Sequence, residues 1–220
     1  AVVSTYNQVE YGIYTNKDYG NVRGLELKLD YSFNSLFIQT NYTYQFTRGN
    51  ADNPAQTFNR QGSSIDKVIR FIPMSWDQRH TFNVSLGYNT QKFGATITGY
   101  YNSGTPYTFS PQGESNLALL NLYPNNDIKP SNYHADISGY INLPKVLGIN
   151  SKINFLIYNL TDRYNEYGVS SETGRAYTAV VNETELLSHR SNFNSYDDRY
   201  KNPSMFSSPR EIKIGWTVSF

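Results

Sequence analysis

From Asn21 to Phe33 the chain reads NVRGLELKLDYSF, with Leu25, Leu27, Leu29, Tyr31 and Phe33 alternating with Glu26, Lys28, Asp30 and Ser32. A period of two puts the apolar set on one face of a β-strand and the polar set on the other. Asn34-Ser35 reads as a tight turn. After it, 36–47 places Leu36, Ile38, Tyr42, Tyr44 and Phe46 opposite Gln39, Asn41, Thr43 and Gln45, with Phe37 and Thr40 breaking the pattern.

The same period recurs over 80–88 (Phe82, Val84, Leu86 and Tyr88 against Thr81, Asn83 and Ser85) and 93–102 (Phe93, Ala95, Ile97 and Tyr101 against Thr96, Thr98 and Asn102). It returns over 134–143, where Ala135, Ile137, Ile141 and Leu143 oppose Asp136, Ser138 and Asn142. In 151–160, Ile153, Phe155 and Ile157 alternate with Lys152 and Asn154, blurred by Leu156 and Tyr158. In 210–220, Ile212, Ile214, Trp216, Val218 and Phe220 alternate with Glu211, Lys213, Thr217 and Ser219. A weaker leading strand over 9–16, with Val9, Tyr11 and Ile13, brings the expected number to about eight.

Connection lengths sharpen the picture. The links at 34–35, 89–92 and 144–150 are short, whereas 48–79, 103–133 and 161–209 run to roughly 30 to 50 residues, so short and long alternate. Only the short link at 17–20 departs from this. Antiparallel transmembrane barrels have such short turns at one end and long loops at the other, with strands of about 9–12 residues. Aromatic residues near strand ends, among them Tyr31, Phe33, Tyr42, Tyr44 and Phe46, suit the headgroup level of a membrane. A β-sandwich with one packed face is the competing architecture.

Composition narrows the chemistry. The 220 residues include no Cys, which excludes disulfide scaffolds, Cys-zinc sites and thiol catalysis. A formal charge of +1, with basic residues scattered, gives no basis for nucleic-acid binding. No apolar run reaches the length of a membrane-spanning helix. Aromatic residues make up 15%, with 20 Tyr and 12 Phe, in an otherwise polar chain, as alternating strands require.

Candidate chemistry is sparse. Asp77 with His80, and His134 with Asp136, suggest a hydrolytic pair, but no G-x-S-x-G accompanies them, and rim contacts explain Asp77, Arg79 and His80 more simply. His189 stands alone, so neither a metal nor any other cofactor is expected, and no enzymatic activity. Acceptor triplets for glycosylation at Asn41, Asn83, Asn159 and Asn182 read as chance matches.

Five segments resemble the C-terminal part of TonB-dependent outer-membrane receptors of the type common in Bacteroidota: YGNVRGLELKLDYSF at 19–33, WDQRHTFNVSLGY at 76–88, NSGTPY at 102–107, NLTDRY at 159–164 and PREIKIGWTVSF at 209–220. The resemblance implies that 1–220 forms the last eight strands or so of a 22-stranded barrel in the bacterial outer membrane, without the plug domain, TonB box or signal peptide of the family. It implies uptake of a substrate, with outer-membrane lipid, the barrel-assembly machinery, an upstream barrel and plug, and through that plug the TonB complex as partners. Glu26, Lys28, Asp30, Gln39, Asn41, Thr43 and Gln45 would face the lumen. Ile212, Ile214, Trp216, Val218 and Phe220 resemble the signal by which a last strand is recognised for assembly. Outer-loop ligand contacts would come from Tyr164, Tyr167, Arg175, Tyr177 and Tyr196. The alternative is a complete eight-stranded barrel with a structural or adhesion role.

Overall fold

The structure is a computed structural model that describes residues 2–6, 9–13, 18–53, 71–110, 124–176 and 203–219. Its strands in chain order are β1 (Val2–Tyr6), β2 (Val9–Ile13), β3 (Gly20–Phe33), β4 (Leu36–Gly49), β5 (Ile72–Pro73) and β6 (His80–Asn89). There follow β7 (Phe93–Asn102), β8 (Pro106–Tyr107), β9 (Asp127–Ile128), β10 (Asn132–Asn142), β11 (Asn150–Tyr158) and β12 (Glu211–Ser219). Helical geometry among the described residues is confined to a 3-10 turn at Pro203–Met205. No helix there is long and apolar enough to cross a membrane.

The fold is all-β and antiparallel, as the alternation predicts. Seven long strands lie in the order β12-β11-β10-β7-β6-β4-β3, and short β5 on the end of β4 is the eighth member of the sheet. The leading strand departs from expectation. Val9–Ile13 pairs with Val2–Tyr6 in a separate two-stranded hairpin and does not join the sheet. Five residues with a complementary stretch immediately before them can satisfy their backbone locally. The sheet therefore ends at β3 and β12, which are not bonded to each other, and it is open.

Register converts the alternation into two faces. Leu25 pairs with Tyr44, Leu27 with Tyr42, Tyr31 with Ile38 and Phe33 with Leu36. Ile38 then meets Leu86 and Tyr42 meets Phe82, Leu86 meets Ile97, and Ile97 meets Ile137. The line continues from Ile137 to Ile157 and from Ile157 to Ile212. One apolar surface thus crosses all seven strands. It is banded: Leu27, Val84, Ile97, Ile137 and Ile214 form an aliphatic middle, between Tyr44, Phe82, Tyr101 and Tyr133 at one end and Phe33, Tyr88 and Phe93 at the other.

The opposite face is polar, and its departures from alternation are accommodated by glycine. A β-carbon at Gly87 would collide with the Phe37 ring, and one at Gly94 with the ring of Tyr140. Each aromatic lies across a neighbouring strand's glycine, a fit that pins register. Leu156 pairs with Lys213 on this face, and Lys213 Nζ lies 5.1 Å from the centroid of the Tyr158 ring.

Among the described residues no second layer of strands packs against either face. Strands that are not hydrogen-bonded neighbours share no more than marginal contacts. Among the described residues the buried apolar side chains are Ile72, Met74 and Ala176, while Leu27, Ile97, Ile141, Ile212 and Trp216 are exposed. A sandwich would bury a core between two sheets. The seven long strands form a single layer.

Antiparallel order places the turns Asn34-Ser35, 90–92 and 143–149 at one end, and the links 50–79, 103–131 and 159–210 at the other. Asn34 takes φ 50°, a left-handed conformation that Asn tolerates better than most residues.

Candidate functional site at the loop end of the sheet

Among the described residues, nearly all tight burial occurs where the strands give way to the long links, and most of the side chains involved are polar. Asp77, in the WDQRH segment, is 1% exposed. Its Oδ1 accepts the Thr47 N–H at 2.8 Å and its Oδ2 binds Arg79 Nε at 2.8 Å. Arg79 lies 4.1 Å over the Phe46 ring. His80 bonds elsewhere: its Nδ1 meets Tyr42 Oη at 2.8 Å, and its N–H donates to Ser103 Oγ at 2.9 Å. Asp77 and His80 are thus rim contacts, and their hydrogen-bond partners do not join them into a catalytic pair.

Ser103 brings in NSGTPY. Gln78 Nε2 donates to Ser103 O at 3.2 Å, and a β-carbon on Gly104 would collide with the Lys129 carbonyl. Only glycine allows that close approach. Farther out, Asn125 donates to Asp52 Oδ2 and Pro73 O, each at 2.9 Å, tying two long links together. Burial first, and then a 3.0 Å bond to Asp127, push the Tyr107 hydroxyl up to about 12.

NLTDRY forms the second network. Asn159, 1% exposed and at φ 52°, donates from Nδ2 to the carbonyls of Arg163 and Ser208, each at 2.9 Å. Its N–H donates to Asp136 Oδ1 at 2.8 Å. The Asn159 amide is thus fully engaged within the fold, and Asn41 donates to Glu26 Oε1 at 3.0 Å on β4. Asn165 brackets Tyr133, accepting its N–H at 3.1 Å and donating to its carbonyl at 2.8 Å. Arg163 donates to Tyr133 Oη at 2.8 Å while lying 4.1 Å over that ring. Asp162 accepts the Arg210 N–H at 3.0 Å, fixing where the final strand begins.

On the polar face just below this rim, His134 Nε2 meets Asp136 Oδ1 at 2.5 Å, and its ring stacks on Tyr100 at 5.6 Å. Tyr100 Oη reaches Tyr167 Oη at 3.2 Å. Among the described residues no hydroxyl is bonded to His134 that could serve as a nucleophile, and no three acidic or histidine groups are placed to hold a metal. Asn102 and Asn132 face each other there with their Oδ1 atoms buried and unpartnered.

The residues singled out from the sequence fare differently. Glu26, Lys28, Asp30, Gln39, Asn41, Thr43 and Gln45 share the polar face, with Glu26 opposite Thr43, Lys28 opposite Asn41 and Asp30 opposite Gln39. Tyr164 and Tyr167 are exposed at the loop end. Arg175 is engaged with Glu166, Nη2 to Oε1 at 2.5 Å, and the Ala176 N–H adds a bond to Oε2 at 2.6 Å. Burial raises the Glu166 carboxyl, but Arg175 and that N–H outweigh it and leave the group below its ordinary value. Ile212, Ile214, Trp216 and Val218 share the apolar face of edge strand β12. Tyr177, Tyr196, His189, Asn182 and Phe220 lie outside the described residues. Tyr100, Asn132 and Glu166 were not anticipated. An aromatic at a polar-face position near a strand end was the signal for Tyr100.

Comparison with protein-family models, curated proteins and solved structures returns no match for this chain.

Proposed function

We propose that this chain is part of the wall of a TonB-dependent receptor in the bacterial outer membrane, supplying strands, outer loops and closing strand to a larger barrel that takes up a substrate. The observation that supports it most is the single-layer sheet whose apolar face runs unbroken across seven strands, banded by aromatic residues at both ends. Exposed apolar patches on soluble proteins rarely exceed a few hundred Å². Lipid is the solvent such a face needs, and strands of 9 to 14 residues suffice to cross it. The short turns would face the periplasm and the long links the exterior.

The open edges bear on size. In hydrocarbon every backbone group must be paired, so β3 and the far side of β12 need further strands. A complete eight-stranded barrel would have joined them. Upstream strands and a plug are therefore proposed as parts of the same receptor, with the assembly machinery reading Ile212, Ile214, Trp216, Val218 and Phe220, and TonB acting through the plug.

Two experiments test this. Glu172→Cys at the loop end should react with an impermeant thiol reagent on intact cells, and Lys145→Cys at the turn end should not; the reverse result would invert the orientation. Cells lacking the full-length protein should lose uptake of one substrate from a panel of iron chelates, cobalamin, glycans and peptides, and cells lacking TonB should lose the same one. Uptake independent of TonB would overturn the transport reading.

A further inference from the structure

The apolar face has a feature that acyl chains alone do not account for. At the loop end of β3 and β4, Arg23, Leu25, Tyr44, Phe46, Arg48 and Phe71 line a groove of about 600 Å³. Arg23 pairs across the strands with Phe46, and Arg48 follows Phe46 by two residues, so the two guanidiniums are diagonal neighbours on one face. Both arginines are exposed. Arg23 Nε donates to Asn21 Oδ1 at 2.8 Å, and neither guanidinium has a carboxylate partner among the described residues.

That contrasts with three other arginines of the loop end. Arg79 is held by Asp77, Arg175 by Glu166 and Arg210 by Asp162. Two unneutralised, like-charged groups side by side repel each other and favour a shared anion. Their position fixes which anion. They stand at the aromatic band, beside the stacked pair Tyr19 and Phe71, whose centroids are 5.7 Å apart. In a membrane that is headgroup level.

We infer that this groove binds the phosphate-bearing headgroup of an outer-leaflet lipid, an inference that rests on the membrane reading above. Arg23 and Arg48 would hold the phosphate, since guanidinium forks match its oxygens in pairs. Leu25, Tyr44, Phe46 and Phe71 offer the apolar wall for the upper part of the lipid. Asp77, at the adjoining strand start, does not compete, because Arg79 and the Thr47 N–H already engage it.

The test uses the full-length protein purified from outer membranes in a neutral detergent, titrated with diphosphoryl lipid A and with the same lipid stripped of phosphate, and read by native mass spectrometry. The diphosphoryl lipid should bind, and a folded Arg23→Gln/Arg48→Gln variant should bind it roughly ten- to thirty-fold more weakly, the effect of two charges near an anionic headgroup. Lys28→Gln/Lys152→Gln, on the opposite face, should bind normally. Equal binding of the dephosphorylated lipid, or full displacement by inorganic phosphate, would overturn the lipid assignment. Unchanged binding in the arginine variant would overturn the site. Recovery of the wild-type protein in the soluble fraction would sink the membrane reading itself, whereas normal membrane insertion without arginine-dependent binding would sink only this inference.

Discussion

Between its turn end and its rim, the seven-stranded wall fully buries no side chain larger than glycine, whereas the loop end buries Thr47, Asn50, Asp77, Asn125, Asn159 and Asn165 among the described residues. Backbone ladders hold the wall, and its apolar surface is exposed. Side-chain hydrogen bonds to backbone groups hold the rim, in place of a hydrophobic core. On the membrane reading proposed above, the difference follows from the solvent each region is built for. A surface in hydrocarbon gains nothing from hiding its leucines, while long links in water must satisfy buried polar groups by themselves.

The comparison is broken most severely at Asn159. Asn159→Ala removes the donor to two carbonyls and the acceptor of the Arg163 N–H, at a position with φ 52°. It should cost roughly 4 kcal/mol, from several buried groups left unpaired and an unfavourable backbone conformation. Urea unfolding of the full-length protein in lipid vesicles would measure it, and Asn159→Gly, which tolerates the same φ, should recover only a small part.

In the wall the sensitive change is one of polarity. Leu27→Arg should cost roughly 2–4 kcal/mol in the same assay, if the residue lies near the bilayer midplane, while Lys28→Ala one position along should cost far less. Equal penalties would mean the two faces are not in different solvents.

Asp77→Asn separates charge from hydrogen bonding at the rim. The amide oxygen can still accept the Thr47 N–H, so the loss should be limited to the attraction for Arg79, roughly 1–2 kcal/mol. A loss as large as that of Asn159→Ala would show that the charge, not the bond, organises the strand end.

The smallest effect is pH-dependent. Because folding depresses the Glu166 carboxyl, its contribution is fully present above the ordinary glutamate range and is lost as pH falls through the lowered value. Proteolysis of the 165–176 segment should therefore accelerate on acidification below that range in the wild type. Glu166→Gln should be cleaved readily at neutral pH and show no such dependence.

The wall was legible in the sequence because its two faces differ in polarity, so Leu25 to Phe33 and Glu26 to Ser32 announce themselves by period alone. The leading strand was misplaced for a related reason: three apolar residues over 9–16 fit a local hairpin as well as a sheet edge, and nothing in the period separates the two. The rim was hardly legible. Its bonds join residues far apart in the chain, as in Asn125 to Asp52, and buried asparagines have no periodicity. Only the short segments WDQRH, NSGTPY and NLTDRY marked it, and each proves to be a piece of these polar networks. Arg175 looked available in the sequence because its partner Glu166 becomes a neighbour only through the fold of the loop.

The most direct test of a wall with lipid on one side and water on the other is a collision-accessibility scan along β3. These 220 residues contain no Cys, so single cysteines at positions 25 to 30 of the full-length protein, with any cysteines elsewhere in it replaced, can each be spin-labelled and exposed in lipid vesicles to oxygen and to a water-soluble nickel chelate. Labels at Leu25, Leu27 and Leu29 should favour oxygen, and labels at Glu26, Lys28 and Asp30 the chelate, giving a period of two. A uniform preference along the strand, or the same period in opposite phase, would contradict it.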